Sequence, residues 1–503
     1  MSLLARRVNT GAHRTLRHVS RSLNRSINQH ATSTIRVATH QSRALTLKDA
    51  GLFFGLSAAF AGGAVIGGIY GPSKPTAISP QSACSSISPN ETPRDPFALV
   101  NEPVSLNVQT ATAKLIENEL SVAANGKNPE SHTVQFASNS PVEDQYVQDV
   151  APGAGKTPWC YWGVFDGHAG AATGILLKST LVPYVSKSLS QLSTQSASPL
   201  ITSAIQSAFS TLDADILNTA QKAVNSASSV SPAALAALAP AIAGSCALLA
   251  IFDPQSSILR VACVGDSRAV LGRYESAAGK YVAMPLSADQ TGFNAAEVER
   301  ISAAHPGEIG IIDPASGRLL GIAVTRAFGD SRWKWSEQFL TKTQLDFWSP
   351  APRKGAVTPP YMTAEPVVTE TQVVRGERGD FVILASDGLW DHISSEDAVE
   401  CVAQYVEARK SGKFKSLASS EAKADDSYDV VGGKPFTLTD DKFVEWQATP
   451  EHFVVEDNNA ATHLVKNAFG GSRRSLFCSV MSAGQPLSRN IRDDITVQVI
   501  FFD

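Results

Sequence analysis

Two apolar runs in this chain end in the same way. Trp162-Gly163-Val164-Phe165 leads into Asp166-Gly167-His168, and Phe381-Val382-Ile383-Leu384-Ala385 leads through Ser386 into Asp387-Gly388-Leu389-Trp390-Asp391. Short runs rich in β-branched and aromatic residues are strands, and an Asp-Gly at the end turns the backbone while leaving a carboxylate at the strand terminus. A third acidic segment, Asp493-Asp494, opens the run Ile495 to Phe501, and Glu143-Asp144 supplies a fourth. Any one Asp-Gly is ordinarily a turn, but the repetition asks for a fold that brings the ends of distant strands to one cleft. Carboxylates gathered there repel one another, and divalent cations are the simplest relief. The ligands on offer are oxygens, with no Cys or His pair at zinc spacing, which favours Mg²⁺ or Mn²⁺.

The remaining pattern says which fold. Strands are expected at Tyr161 to Phe165, Cys246 to Phe252, Leu259 to Val264, Ala269 to Gly272, Phe381 to Ala385 and Ile495 to Phe501. Helices are expected at Ala169 to Leu189, bent or broken at Pro183, and at Asn294 to Ala304, Ser395 to Arg409 and Ala460 to Phe469. Strands joined tightly, as through Gly265-Asp266-Ser267-Arg268, indicate antiparallel sheets flanked by helices and not a doubly wound parallel sheet. The Ala/Ser-rich stretch 221–241 and the polar stretch 411–456 read as insertions into a domain spanning 129–503.

Composition excludes some classes. With 43 Lys+Arg against 47 Asp+Glu, 43% apolar residues and a mean hydropathy of -0.05, the chain can bury an ordinary core and is neither a bulk nucleic-acid binder nor a multi-span membrane protein. Its six cysteines include no C-x-x-C pair, so they read as reduced thiols. The N-terminus departs from this average. Residues 1–48 carry eight arginines and no acid, the composition of a mitochondrial transit peptide. Residues 50–73 carry no charge and are long enough for a single transmembrane helix. A Pro-rich linker is expected over 74–128.

The motifs, taken in order, resemble those of the metal-dependent type 2C Ser/Thr protein phosphatases: Glu143-Asp144, Val164 to Gly170, Gly244 to Ala247, Val264 to Leu271, Val324 to Asp330, Ala385 to Asp391 and Arg492 to Val497. Arg318 to Gly321, Pro359 to Pro366 and Asn459 to Leu464 are similar to the mitochondrial pyruvate dehydrogenase phosphatase branch and its fungal members. The resemblance implies an α+β fold, a four-layer αββα sandwich of two antiparallel sheets flanked by helices. It implies two Mg²⁺ or Mn²⁺ ions, with Asp166 bridging them, the Gly167 carbonyl on one, and Asp387 and Asp493 on the other. Glu143 and Asp144 would orient water, His168 would protonate the departing oxygen, and Asp266 and Asp391 are candidates for a third metal. Asn139 stands where most members carry a phosphate-holding arginine, and Asn offers a hydrogen bond but no charge.

The implied activity is hydrolysis of phosphoserine or phosphothreonine by a water that bridges the two cations. The implied substrate is a phosphoprotein, the pyruvate dehydrogenase α-subunit, whose complex would thereby be activated, and no nucleic acid is involved. The implied location is the mitochondrion, anchored in the inner membrane through residues 50–73 and facing either the matrix or the intermembrane space. The alternative readings are a membrane-tethered pseudophosphatase that binds phosphoproteins and an enzyme for small phosphate esters. Intact carboxylates argue against the first, and the insertions and the flap segment Ala304 to Ala327 against the second.

Overall fold

A computed structural model describes residues 106–227, 230–412, 437–438 and 444–503. Two antiparallel sheets dominate it. The first has six strands, in the order Leu120–Val122, Glu130–Phe136, Ile495–Phe501, Phe381–Ala385, Arg268–Glu275 and Lys280–Pro285. The second has five, in the order Val367–Gln372, Ile258–Val264, Ala247–Asp253, Pro158–Phe165 and Gln145–Pro152.

Residues 247–252 and strand Phe381–Ala385 are apolar throughout because both of their faces are covered. Along Ala247–Asp253, Leu248, Ala250 and Phe252 point at the other sheet, where they meet Leu271, Val382, Leu384 and Ile500. Ala247, Leu249 and Ile251 point outward beneath helices Ala172–Leu189, Ser198–Ser226 and Pro232–Ile242. The first sheet is covered in the same way. Val134, Ile383, Val497 and Val499 pack under helices Val108–Ile116, Ser395–Ser411, Ala460–Ala468 and Arg474–Ser482. The result is the αββα sandwich expected from the motifs.

Helix boundaries follow local chemistry. Asn294 caps Ala295–Ala304 by accepting from the Ala296 N–H, and Ser394 caps Ser395–Ser411 by accepting from the Asp397 N–H. Pro183 lies inside Ala172–Leu189 without ending it. The Ala/Ser-rich stretch 221–241 is largely helical, falling in the end of Ser198–Ser226 and in Pro232–Ile242. The fold also begins before residue 129: Val108–Ile116 buries Ala111 and Leu115 against the first sheet's outer core.

One part of the expected architecture is corrected. No helix among the described residues is long and apolar enough to cross a membrane, so the single transmembrane helix, and the membrane anchoring that depended on it, are withdrawn. Residues 50–73 lie outside the described residues, as do the expected transit peptide 1–48 and the linker as far as residue 105. The 50–73 segment carries glycine at 51, 55, 62, 63, 67, 68 and 71, each costing a helix about 1 kcal/mol relative to alanine.

Candidate active site

Strand register brings the acidic segments together. Gln145 pairs with Phe165, which puts Asp144 and Asp166 side by side at one end of the second sheet. Val264 pairs with Ala247 at that same end, so Asp266 emerges there too. In the first sheet Ala385 pairs with both Arg268 and Val497, which brings Asp387 beside Asp266 and the start of Ile495–Phe501. Carboxylate oxygens of Asp166, Asp266 and Asp387 lie within 4.8 Å of one another.

This cluster is electrostatically unbalanced. Burial raises the pKa of Asp166 well above the usual carboxylate range, and repulsion from Asp387, Asp144, Asp266 and Asp493 adds to the shift. Asp144, fully buried, is pushed up to about 8, by burial first and Asp494 second, although it accepts a 2.7 Å hydrogen bond from Ser386 Oγ. Bound divalent cations would offset both upward shifts by opposite charge, and three converging carboxylates form the hard-oxygen donor set that such cations require. The residues present therefore fit the metal that the sequence implies.

Around the cluster, a loop is held by one carboxylate. Asp494 accepts from the backbone N–H groups of Ser138 (2.5 Å), Asn139 (2.8 Å) and Glu143 (2.8 Å). Asn139 Nδ2 donates to Glu143 Oε2 at 2.8 Å and to Asp494 Oδ2 at 3.2 Å, so its amide is engaged within the loop. Glu143 Oε1 accepts from the Gly170 N–H at 2.7 Å, and burial raises the pKa of this carboxyl. Gly167 is closely packed here, since a Cβ on it would sit 2.3 Å from the Glu143 carbonyl oxygen.

His168 is partly exposed, and its Nε2 lies 2.6 Å from Asp330 Oδ2, a carboxylate that is 1% exposed. Burial lowers the imidazole pKa, but Asp330 outweighs it by charge and hydrogen bond, so the net shift is upward. The approach depends on Gly244, where a Cβ would come within 2.0 Å of His168 Nε2 and 2.3 Å of Asp330 Oδ2. Asp330 itself adopts a left-handed conformation with φ 49°, a strained state for a non-glycine residue.

Asp493 stands outside the three-carboxylate group and forms an ion pair with Arg489, four residues earlier. Asp391 follows Asp387 by one turn, its N–H donating to the Asp387 carbonyl, and it too stands outside the group. Asp266, expected only as a third-metal candidate, belongs to the innermost cluster. Arg492, which in the sequence interleaves the acids, turns away from them. Its guanidinium is buried 4.3 Å from the Phe136 ring centroid and donates to the Ala137 carbonyl at 2.8 Å. Asp330, Ser386 and Arg489 were not assigned roles from sequence, although Asp330 and Ser386 lie inside motifs that were singled out.

Comparison with known proteins agrees with the geometry. A family model described as protein phosphatase 2C matches residues 132–429. The chain is 38% identical over 382 residues to a protein phosphatase 2C homolog of Schizosaccharomyces pombe, covering 73% of this chain and 79% of that one. It is 34% identical over 400 residues to the mitochondrial [pyruvate dehydrogenase [acetyl-transferring]]-phosphatase 1 of Saccharomyces cerevisiae, covering 73% and 68%. It is 28% identical over 489 residues to the human mitochondrial [pyruvate dehydrogenase [acetyl-transferring]]-phosphatase 2, covering 84% and 87%.

Proposed function

Since the chain belongs to the protein phosphatase 2C family and is a protein-serine/threonine phosphatase, we propose that it acts in the mitochondrion, on phosphoserine of the pyruvate dehydrogenase complex, and so activates that complex. The family is metal-dependent in general. The reading of the metal centre assigned to this chain is two Mg²⁺ or Mn²⁺ ions, held by Asp166, Asp387, Asp493 and the Gly167 carbonyl. Asp266 is added to this set, and Asp391 stands nearby for a third ion. The observation that carries the reading is the convergence of Asp166, Asp266 and Asp387 within 4.8 Å. Similarity to yeast and human mitochondrial pyruvate dehydrogenase phosphatases supports the substrate and the compartment.

The cations, when bound, supply Lewis acidity, neutralising phosphate charge and lowering the pKa of water. The chain's own residues do the rest. Glu143 and Asp144, beside the cluster, orient water for in-line attack on phosphorus, which forms one P–O bond as the seryl P–O bond breaks. His168, whose protonated form Asp330 favours, gives its proton to the departing seryl oxygen. Asn139 holds Glu143 in place and supplies no charge of its own to the phosphate.

The test is release of phosphate by the purified chain from a phosphoserine peptide of the pyruvate dehydrogenase α-subunit, with Mg²⁺ or Mn²⁺ and with EDTA. Metal-dependent turnover, abolished in Asp166→Asn, supports the reading. Turnover of generic phosphopeptides with none of this one rejects the substrate, and no turnover of any peptide by folded protein rejects the mechanism.

A further inference from the structure

Three guanidinium groups gather around Trp333, whose backbone N–H donates to the Asp330 carbonyl at 3.0 Å. Arg353 and Arg332 both lie over the buried Trp333 ring, 4.5 Å and 5.8 Å from its centroid. Trp333 is fixed by its indole N–H, which donates to the Leu319 carbonyl at 3.1 Å. Arg318 donates to the Gly321 carbonyl at 2.8 Å, and Arg353 packs on that same glycine, where a Cβ would lie 3.1 Å from its Nη2. A tryptophan and a glycine backbone thus hold three cations together.

Their hydrogen bonds are incomplete. Nε and Nη2 of Arg318 and Nε of Arg353 are buried without a hydrogen-bond partner among the described residues. Arg332 uses its Nε on the Ala351 carbonyl at 2.9 Å. Burial pushes the pKa of Arg353 down to about 10, with repulsion from Arg332 and Arg318 contributing and Asp330 opposing. Among the described residues Asp330 is a carboxylate that acts on Arg332 and Arg353, and it is already bound to His168. Buried guanidinium N–H groups without acceptors are costly, and the geometry of an arginine fork matches carboxylate and phosphate oxygens.

We propose that Arg318, Arg332 and Arg353 form a second anion site, on the leaving-group side of the catalytic cleft, which binds an acidic or phosphorylated side chain flanking the phosphoserine in the substrate polypeptide. The position follows from Asp330, whose carboxylate touches His168 and whose carbonyl accepts from the backbone N–H of Trp333, the residue whose ring carries Arg332 and Arg353. The inference rests on the reading of His168 as the residue serving the leaving group. It adds a criterion for substrate choice that the metal centre cannot supply, because the phosphate ester itself is common to all candidate substrates.

The experiment uses the full chain and a set of fluorescent phosphoserine peptides carrying Asp, phosphoserine, Ala or Arg at each flanking position. The phosphates are replaced by non-hydrolysable phosphonates and binding is measured with Mg²⁺, so that the cleft is charge-balanced and nothing turns over. At one or more positions an anionic flank should tighten binding about tenfold over Ala, with Arg weakening it. Comparison of Asp with phosphoserine tells a carboxylate site from a phosphate site. Arg332→Gln and Arg353→Gln should each remove most of this advantage, and Arg353→Lys should restore part of it. Indifference of the wild-type chain to every flank overturns the proposal, even if no variant folds. So does a loss in the variants that falls equally on anionic and neutral peptides. Turnover of the Ala-flanked phosphoserine peptide with Mg²⁺ separately tests the phosphatase reading, so failure of one is distinguishable from failure of the other.

Discussion

Two buried groups of charged residues in this molecule solve opposite problems. Glu297, 2% exposed, is surrounded by cations: Arg326 donates to its Oε1 at 2.6 Å and 2.9 Å, Arg300 to its Oε2 at 2.8 Å, and Thr325 Oγ1 completes the set. Burial works against this carboxylate, yet the two arginines hold its pKa down at about 2. Asp166 is half-buried at the cleft and also desolvated, but the residues acting on it are further carboxylates, and its pKa moves the other way. Desolvation is common to both, so the partners decide the sign. The Glu297 group carries its own cations, whereas the groups that act most strongly on Asp166 are carboxylates, whose repulsion a bound cation would relieve.

The largest expected contrast comes from removing one carboxylate from each group. Asp166→Asn should reduce turnover at least ~10³-fold and, in metal-free protein, raise the midpoint of denaturation, because it relieves repulsion. Glu297→Gln should lower that midpoint. Breaking a buried pair leaves Arg326 uncompensated and should cost about 3 kcal/mol of stability, read as a lower denaturant midpoint. If both substitutions destabilise the metal-free protein alike, the contrast fails.

Next in size is Asp330→Asn. Asp330 raises the His168 pKa, so the protonated imidazole persists to higher pH than it otherwise would. A rate that needs this proton falls as pH rises through the His168 pKa, and losing Asp330 shifts the fall to lower pH. The variant should show about tenfold lower kcat at neutral pH, with recovery toward acid. An unshifted profile would remove Asp330 from the account.

Acid stability gives a smaller effect. A depressed carboxylate contributes stability that is present above its unfolded pKa, near ~4.3, and lost as pH falls through the folded value, which is about 2 for Glu297. Between these pH values the wild-type denaturant midpoint should fall more steeply than that of Glu297→Gln. Parallel curves would contradict the assignment.

Much of this was legible in the residues because strand ends are a local signal. An apolar run followed by Asp-Gly marks both the sheet and the ligand, and Phe381–Ala385 and Ile495–Phe501 lie where the pattern puts them. What sequence does not carry is register. Asp266 enters the innermost cluster because Val264 pairs with Ala247, and Asp387 joins it because Ala385 pairs with Arg268. Neither pairing can be read from residue type. Side-chain direction was equally hidden: Arg492 sits among acids in the sequence but points into the Phe136 core, while Arg489 is the cation that pairs with Asp493. Helix Val108–Ile116 is not legible in the residues because a single apolar face needs the sheet it covers before its role is evident.

The central claim is that the carboxylate cluster is completed by cations, and equilibrium denaturation of the wild type and Asp166→Asn, each with EDTA and with excess Mg²⁺, tests it without reference to catalysis. The account predicts that Mg²⁺ stabilises the wild type, by about 2.7 kcal/mol at a hundredfold excess over its dissociation constant. It predicts little or no stabilisation of Asp166→Asn, which should already be the more stable protein in EDTA. Equal stabilisation of the two proteins, or none of the wild type, would contradict it.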